Sequence, residues 1–407
     1  MRIAFIVGIV FPTLSKTFII NQITGLIERG HEVDIYADVP ETHSKVHPEV
    51  EKYNLLERTY YDQTPRNFVL RTLNSIKLVF ANFHKNPGVV FRSLNFFKYG
   101  KEAASLRLIH RVIPHLNKQP YDVVHCHFGY NGIKSLSLRQ LGILQGKLIT
   151  TFHGSDITKF IQSEGDNIYD NLFSEGDLFL PISEHWKDKL IQLGCDKNKI
   201  IVHRMGVDCN SFYFTPRQIH PDSKIQLVTI NRLVEKKGVE YGIRAVAELA
   251  KTNSNINYTI VGDGLLKDEL QRLIYELNSA DVVKLVGWKQ KSEIVEILNN
   301  SHILLAPSIT SKNGDREGIP VALMEAMSMG LPVISTFHSG IPELVENGVS
   351  GFLVSERDID GLVEKLNYLI EHPEIYLQMS KESRMRISEK YNIKKLNDGL
   401  VKIYQKT

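Results

Sequence analysis

Two series of alternating strand and helix sequence, broken once near the middle, constrain this chain more than any other feature. Short apolar segments at 2–10, 31–36, 122–127, 147–152, 177–182 and 200–203 make the first series. A helical stretch through 18–27, closed by Gly30, separates the first two, giving a βαβ unit. A polar, aromatic and Pro-containing passage at 208–222 interrupts the rhythm and reads as a linker. A second series follows, with strands expected at 225–230, 258–261, 282–286, 303–306, 332–335 and 351–354, and helices at 239–251 and 267–277. A chain of 407 residues also exceeds what one hydrophobic core organises. The expected class is α/β: two doubly wound Rossmann-like domains facing a cleft, one at 1–210 and a second at 211–389. A last helix, at 390–407, is expected to pack back on the first domain. In such sheets ligands bind beyond the C-terminal ends of the strands, so chemistry should gather in the strand-end loops.

Composition removes several classes. Cys126, Cys195 and Cys209 are scattered, which supports neither a disulfide framework nor a zinc site and fits a reducing cytoplasm. The N-terminal apolar run is short and broken by Pro12, unlike a signal peptide. No segment approaches the roughly 18 apolar residues of a spanning helix. The expected location is cytoplasmic, with a peripheral place at the inner face of the plasma membrane. Charge is unevenly spread: net charge is +3, yet residues 64–118 carry ten Lys or Arg and one acid, Glu102. Phe68, Phe80, Phe83, Phe91, Phe96 and Phe97 interleave with them. A basic surface with aromatic anchors suits an anionic membrane. Single-stranded nucleic acid uses similar residues but is not the expected partner. The plain alternative is a solvated helical insertion whose apolar face is buried.

The motifs cluster at strand ends in the second half. Glu317 and Glu325 are eight residues apart around Pro320, which suits the start of a helix because it needs no amide partner there. A helix start offers free amides and a positive dipole end for a phosphate. Carboxylates beside such a site repel an anion but accept from vicinal hydroxyls, as sugars supply. Two solvated acids on a surface helix would give the same spacing. Arg232 and Lys237, in Asn231-Arg232-Leu233-Val234-Glu235-Lys236-Lys237-Gly238, follow the first strand of the second series and can neutralise a diphosphate. Gly262-Asp263-Gly264 follows the next strand as a tight turn, without the third Gly of a dinucleotide fingerprint. Gly287-Trp288 ends the third, where a base could lie. Phe337-His338-Ser339-Gly340-Ile341-Pro342-Glu343 ends another strand beside the same cleft.

With Val261-Gly262-Asp263-Gly264, Pro307-Ser308 and Gly330-Leu331-Pro332-Val333-Ile334-Ser335, these motifs make residues 225–360 resemble glycosyltransferase family 4, retaining enzymes of the GT-B fold. The resemblance implies that Arg232 and Lys237 hold donor phosphates, Glu325 the ribose hydroxyls, and Glu317 the hexose hydroxyls near the reacting carbon. Gly318 and Ile319 would add backbone contacts, and Gly262, Gly264 and Trp288 would complete the donor site. In the first domain, His153 resembles the family histidine facing the donor sugar, and Asp156 follows it as in many members. His125 and His127 share one face of a strand, a conceivable metal pair, but no third ligand is near and no metal is expected. His127 is expected on the acceptor side instead, as is Asp156.

The loop Phe11-Pro12-Thr13-Leu14-Ser15-Lys16-Thr17-Phe18 is not a phosphate loop, because Thr13 stands where the second Gly belongs. It resembles the Phe-Pro-x-Leu-Ser-Glu-Thr-Phe motif of a bacterial exopolysaccharide subgroup that includes colanic-acid-type transferases. Lys16 replaces the Glu of that motif, and Ser15 and Lys16 are expected on the acceptor side. The implied activity is metal-independent and cofactor-free hexosyl transfer with retention, from a nucleotide sugar to a glycan or polyprenyl-linked acceptor. UDP-hexose is the favoured donor and GDP-mannose the next, in exopolysaccharide or lipopolysaccharide biosynthesis. A paired-carboxylate hydrolase would leave Arg232 and Lys237 without purpose. A GT-B nucleotide-sugar epimerase, or a non-catalytic module binding sugar nucleotides, remains open on sequence.

Overall fold

The computed structural model describes residues 1–13, 17–41, 47–219 and 224–407. Six strands, β1 (Arg2–Phe11), β2 (Glu32–Pro40), β3 (Thr59–Tyr61), β4 (Val123–His127), β5 (Lys147–Phe152) and β6 (Leu178–Pro181), form one sheet. Six more, β7 (Ile225–Ile230), β8 (Ile256–Val261), β9 (Val283–Gly287), β10 (Ile303–Ala306), β11 (Val333–Thr336) and β12 (Phe352–Val354), form the second. Their orders are β3-β2-β1-β4-β5-β6 and β12-β11-β10-β7-β8-β9, with neighbours parallel. Each is therefore a doubly wound sheet whose direction reverses between its first and fourth strands, β1/β4 and β7/β10. Crevices open at those points, above the strand ends.

The reason lies in the apolar runs. Every residue of β4, β10 and β11 is buried, as strands covered by helices on both faces must be. The helix Val239–Leu249 turns Val239, Ile243, Val246 and Leu249 inward at helical spacing, covering one face of the second sheet. One strand assignment changes and one strand is added. Residues 200–203 form no regular strand: Ile201 and His203 donate to the carbonyls of Phe179 and Pro181 at 3.0 Å each, on the outer side of β6. Short β3 escapes the sequence pattern because three residues pairing on one side give no period to detect.

The last helix, Ile393–Lys406, leaves the second sheet and packs against the helix Thr17–Glu28. Arg29 pairs with Asp398 at 2.7 Å, and Leu400 and Tyr404 enter the core beside Ile19 and Ile23.

The basic stretch becomes four short helices, Phe68–Asn82, Pro87–Ser93, Phe96–Ala104 and Arg107–Val112, between β3 and β4. Asn67 caps the first, its side chain accepting from the amides of Val69 and Leu70. The apolar face of that helix is not buried. Val69, Leu73, Ile76 and Phe80 share one side at helical spacing and are all exposed, Phe80 by 79%. Phe97, on a neighbouring helix, is 89% exposed, with Lys77, Lys98 and Lys101 also at the surface. Among the described residues no helix is long and apolar enough to cross a membrane.

Candidate active site

A cleft of about 800 Å³ lies between the strand-end loops of the two sheets. His153, Phe128, Tyr130 and Phe18 line it from the first domain. Arg232, Lys237, Gly262, Trp288, Gly318, Ile319, Glu317 and Glu325 line it from the second.

The loop from β10 carries the central group. Pro320, extended at φ −62° and ψ 124°, caps the helix Val321–Ser328, so Glu317 stays in the loop and Glu325 sits inside the helix. Glu317 is buried, with its carboxylate 2.8 Å from Lys237 Nζ and 3.4 Å from Lys236 Nζ. Burial pushes its pKa up, but Lys237, Lys236 and Arg232 outweigh this and bring it down to about 2. Lys237 is lowered by burial, against the pull of Glu317. Among the described residues Glu325 has no close counter-ion: burial raises it to about 7, opposed only in part by Lys291. The two carboxyls are thus pushed in opposite directions. One is a firm anion between cations, and the other is poised near neutrality.

Several groups beyond the sequence reading complete this wall. Lys236 bonds Asp315 at 3.1 Å and the Arg316 carbonyl at 3.2 Å, fixing the loop before Glu317. The backbone N–H of Glu317 donates to His338 Nε2 at 3.0 Å, and His338 Nδ1 meets Glu356 at 2.6 Å. Gly262 is required where it stands: at φ +139°, an added Cβ would lie 1.8 Å from the Asn231 carbonyl oxygen. Gly264 backs the loop after β7, facing the Leu233 carbonyl, and does not line the cleft. Trp288 is 38% exposed and lines the cleft.

The first domain meets this wall closely. A Cβ on Gly318 would fall 2.3 Å from the His153 carbonyl oxygen, so the donor-side loop touches the loop after β5. His153 lines the cleft, and His127 stands behind it, Nδ1 3.0 Å from His153 Nε2. Asp156 does not line the cleft either. It is fully buried and accepts from the backbone N–H groups of Gly129, His153 and Gly154 at 2.9, 3.0 and 2.8 Å. That carboxylate ties the loops after β4 and β5 together, beside Phe128 at φ +71°. His127 and Asp156 therefore reach the cleft through His153 and the backbone, not by their own contact. His125, its neighbour on the strand, is held by Thr151 Oγ1 at 2.7 Å and the Tyr404 hydroxyl. Ser15 and Lys16 lie outside the described residues.

Residues 15–211 match the family described as Glycosyltransferase Family 4, and residues 214–386 match Glycosyl transferases group 1. The chain is 38% identical to WcaL of Salmonella typhimurium, named as a colanic acid biosynthesis glycosyltransferase, over 100% of both chains. It is 37% identical to the amylovoran biosynthesis glycosyltransferase AmsK of Erwinia amylovora, over 94% of each. A UDP-Gal:alpha-D-GlcNAc-diphosphoundecaprenol alpha-1,3-galactosyltransferase of Escherichia coli is 29% identical over 71% of this chain and 76% of its own. The crystal structure of Anabaena HepE in complex with UDP-glucose superposes over 100% of both chains, with a TM-score of 0.74 at 17% identity. Similarity that runs the full length, around one cleft built from both sheets, establishes that the chain belongs to glycosyltransferase family 4 and is a glycosyltransferase of the GT-B fold.

Proposed function

We propose that the chain moves a hexose, with retention, from a nucleotide sugar to a glycan or lipid-linked saccharide during assembly of a cell-surface polysaccharide. The observation that carries this is the Glu317–Lys237 pair buried in the cleft wall. A carboxylate held ionised beside a lysine supplies an acceptor for sugar hydroxyls next to a cation for the diphosphate. Donor binding would place the phosphates against Lys237 and Arg232, the ribose against Glu325, and the hexose between Glu317 and His153. The bond from the anomeric carbon to the diphosphate oxygen breaks while the acceptor oxygen bonds the same face. The acceptor proton passes to the departing phosphate. Lys237 and Arg232 stabilise the negative charge that grows there. These cations take the part a divalent ion plays in other transferases, so turnover should survive EDTA.

The names of the relatives WcaL and AmsK support an exopolysaccharide setting, and the galactosyltransferase supports a polyprenyl diphosphate acceptor. That enzyme and HepE favour a UDP-hexose donor, with GDP-mannose the competitor. The exposed apolar face of Phe68–Asn82, flanked by Lys77, Lys98 and Lys101, suits an anionic membrane carrying such an acceptor. The protein would then sit on the cytoplasmic side.

The test is a screen of UDP-, GDP- and ADP-sugars with polyprenyl-linked acceptors, measuring nucleotide diphosphate release and product linkage by NMR. Acceptor-dependent release with a retained anomeric configuration is expected. Release of an epimer or free sugar without acceptor would refute the reading in favour of an epimerase. Flotation with anionic liposomes, lost in high salt or with Phe80→Asp, tests the membrane contact; no flotation at low salt would sink it.

A further inference from the structure

The loops after β11 and β12 contribute no lining to the cleft, yet they hold the residue at its centre. Because Glu317 N–H donates to His338 Nε2, that nitrogen carries the lone pair and the ring hydrogen sits on Nδ1. Nδ1–H then donates to Glu356. Glu356 in turn accepts from the Thr310 N–H at 2.8 Å and the Thr310 hydroxyl at 3.1 Å. Three strand-end loops, after β10, β11 and β12, are thus joined through one imidazole that is 2% exposed. Glu317 is fixed at its carboxylate by Lys237 and at its amide by His338.

We propose that His338, oriented by Glu356, is a positioning residue for sugar transfer, accepting the Glu317 amide hydrogen only while its ring is neutral. The inference rests on the reading that Glu317 contacts the donor sugar. Protonation would put a hydrogen on Nε2 facing the Glu317 N–H, two donors at one hydrogen-bond distance. The loop carrying Glu317 would have to shift. The charged and titratable groups around the ring are Glu356, Glu317 and Arg316 from its own domain and His185 from the first. Burial lowers the pKa of His338, and the opposing pull of Glu356 and Glu317 does not restore it. The ring is accordingly neutral at physiological pH and charges on acidification. Hexose transfer should then fall. At one fixed pH, disabling this relay should leave most of the grip on the nucleotide, because Arg232 and Glu325 touch no part of it. The pH dependence of that grip is set separately by Glu325.

Three variants and two readouts test this: His338→Leu, His338→Gln and Glu356→Gln, each measured for kcat at saturating donor across pH and for UDP Kd. His338→Leu removes the acceptor, and kcat should fall about tenfold, the worth of one hydrogen bond, with UDP Kd within about twofold. His338→Gln offers an oxygen that cannot be protonated. It should recover most of the kcat and, on the acid limb of the native protein, raise the ratio of kcat at acid pH to that at about pH 7.5. Glu356→Gln removes the charge that opposes burial, so the native acid limb should move to lower pH. Equal losses in the Leu and Gln variants, a native acid limb in His338→Gln, or UDP Kd rising as much as kcat falls would each overturn the proposal. If His338→Leu does not fold, the pH ratio of His338→Gln decides. A native chain that turns over no nucleotide sugar overturns the proposed function and this inference with it. An active chain with indifferent variants overturns this inference alone.

Discussion

Replacing Lys237 by Met isolates the cation at the cleft wall. Lys237 Nζ lies 2.8 Å from Glu317 and is almost enclosed, so Met fills its volume without leaving a cavity. A hydrogen bond to a charged group is worth about 1.5–3 kcal/mol, so losing one to a bound diphosphate weakens binding roughly 10- to 150-fold. The leaving diphosphate gains negative charge in the transition state, where one preorganised donor is worth about 10²–10³ in kcat. Burial would push the pKa of Glu317 up from about 2 once Lys237 is gone, with Lys236 and Arg232 still opposing it. Lys236→Met is the control, because Lys236 holds the loop through Asp315 and the Arg316 carbonyl. Steady-state nucleotide diphosphate release at about pH 7.5 should show a drop of about 10²-fold or more in kcat for Lys237→Met. Lys236→Met should lose less kcat and more thermal stability. The reasoning is refuted if Lys237→Met keeps kcat within about threefold of native, or if Lys236→Met is the more damaging of the two.

Asp156→Ala should destabilise rather than merely inactivate. It strands three buried N–H groups, so a loss of about 3 kcal/mol or more and a Tm lower by roughly 5–10 °C are expected in calorimetry. Glu325, raised to about 7, should make UDP binding pH-dependent. Ribose hydroxyls donate to the carboxylate, so affinity by titration calorimetry should rise with pH through about 7, and Glu325→Gln should flatten the profile. The stability sign is opposite. A raised folded pKa means the folded state binds more protons between 4.5 and about 7, so this group's contribution to stability falls as pH rises across that window. Gly318→Ala, whose Cβ would meet the His153 carbonyl, should part the two domains by about 1 Å and cost on the order of 10²-fold in kcat. Its UDP affinity should stay near native.

The architecture was legible because buried parallel strands are continuous apolar runs, and β6 or β10 can be read from composition alone. Segment 200–203 reads the same way, but it lies along one edge and pairs on one side. Glu317 and Glu325 stood out because Pro320 marks a helix start between them. Lys236 and Lys237 are indistinguishable as neighbours in sequence; only the short turn Glu235–Lys237 sends one toward Asp315 and the other toward Glu317. Asp156 was visible as a residue, but its carboxylate binds amides of two separate loops, which no local pattern encodes. His338 and Glu356 follow different strands and join Glu317 only because β11 lies between β10 and β12 in the sheet. Contacts fixed by sheet order leave no mark in local spacing.

The most direct test of the donor-site assignment compares the nucleotide sugar the protein turns over with its bare nucleotide diphosphate, by Kd, in the native protein and in Glu317→Ala. If Glu317 takes the hexose hydroxyls, the variant should lose its preference for the nucleotide sugar. It should bind the nucleotide diphosphate as well as native or more tightly, because Lys237 no longer has a carboxylate to neutralise. A variant that still prefers the nucleotide sugar by the native margin, or that loses both ligands equally while folded, would contradict the account.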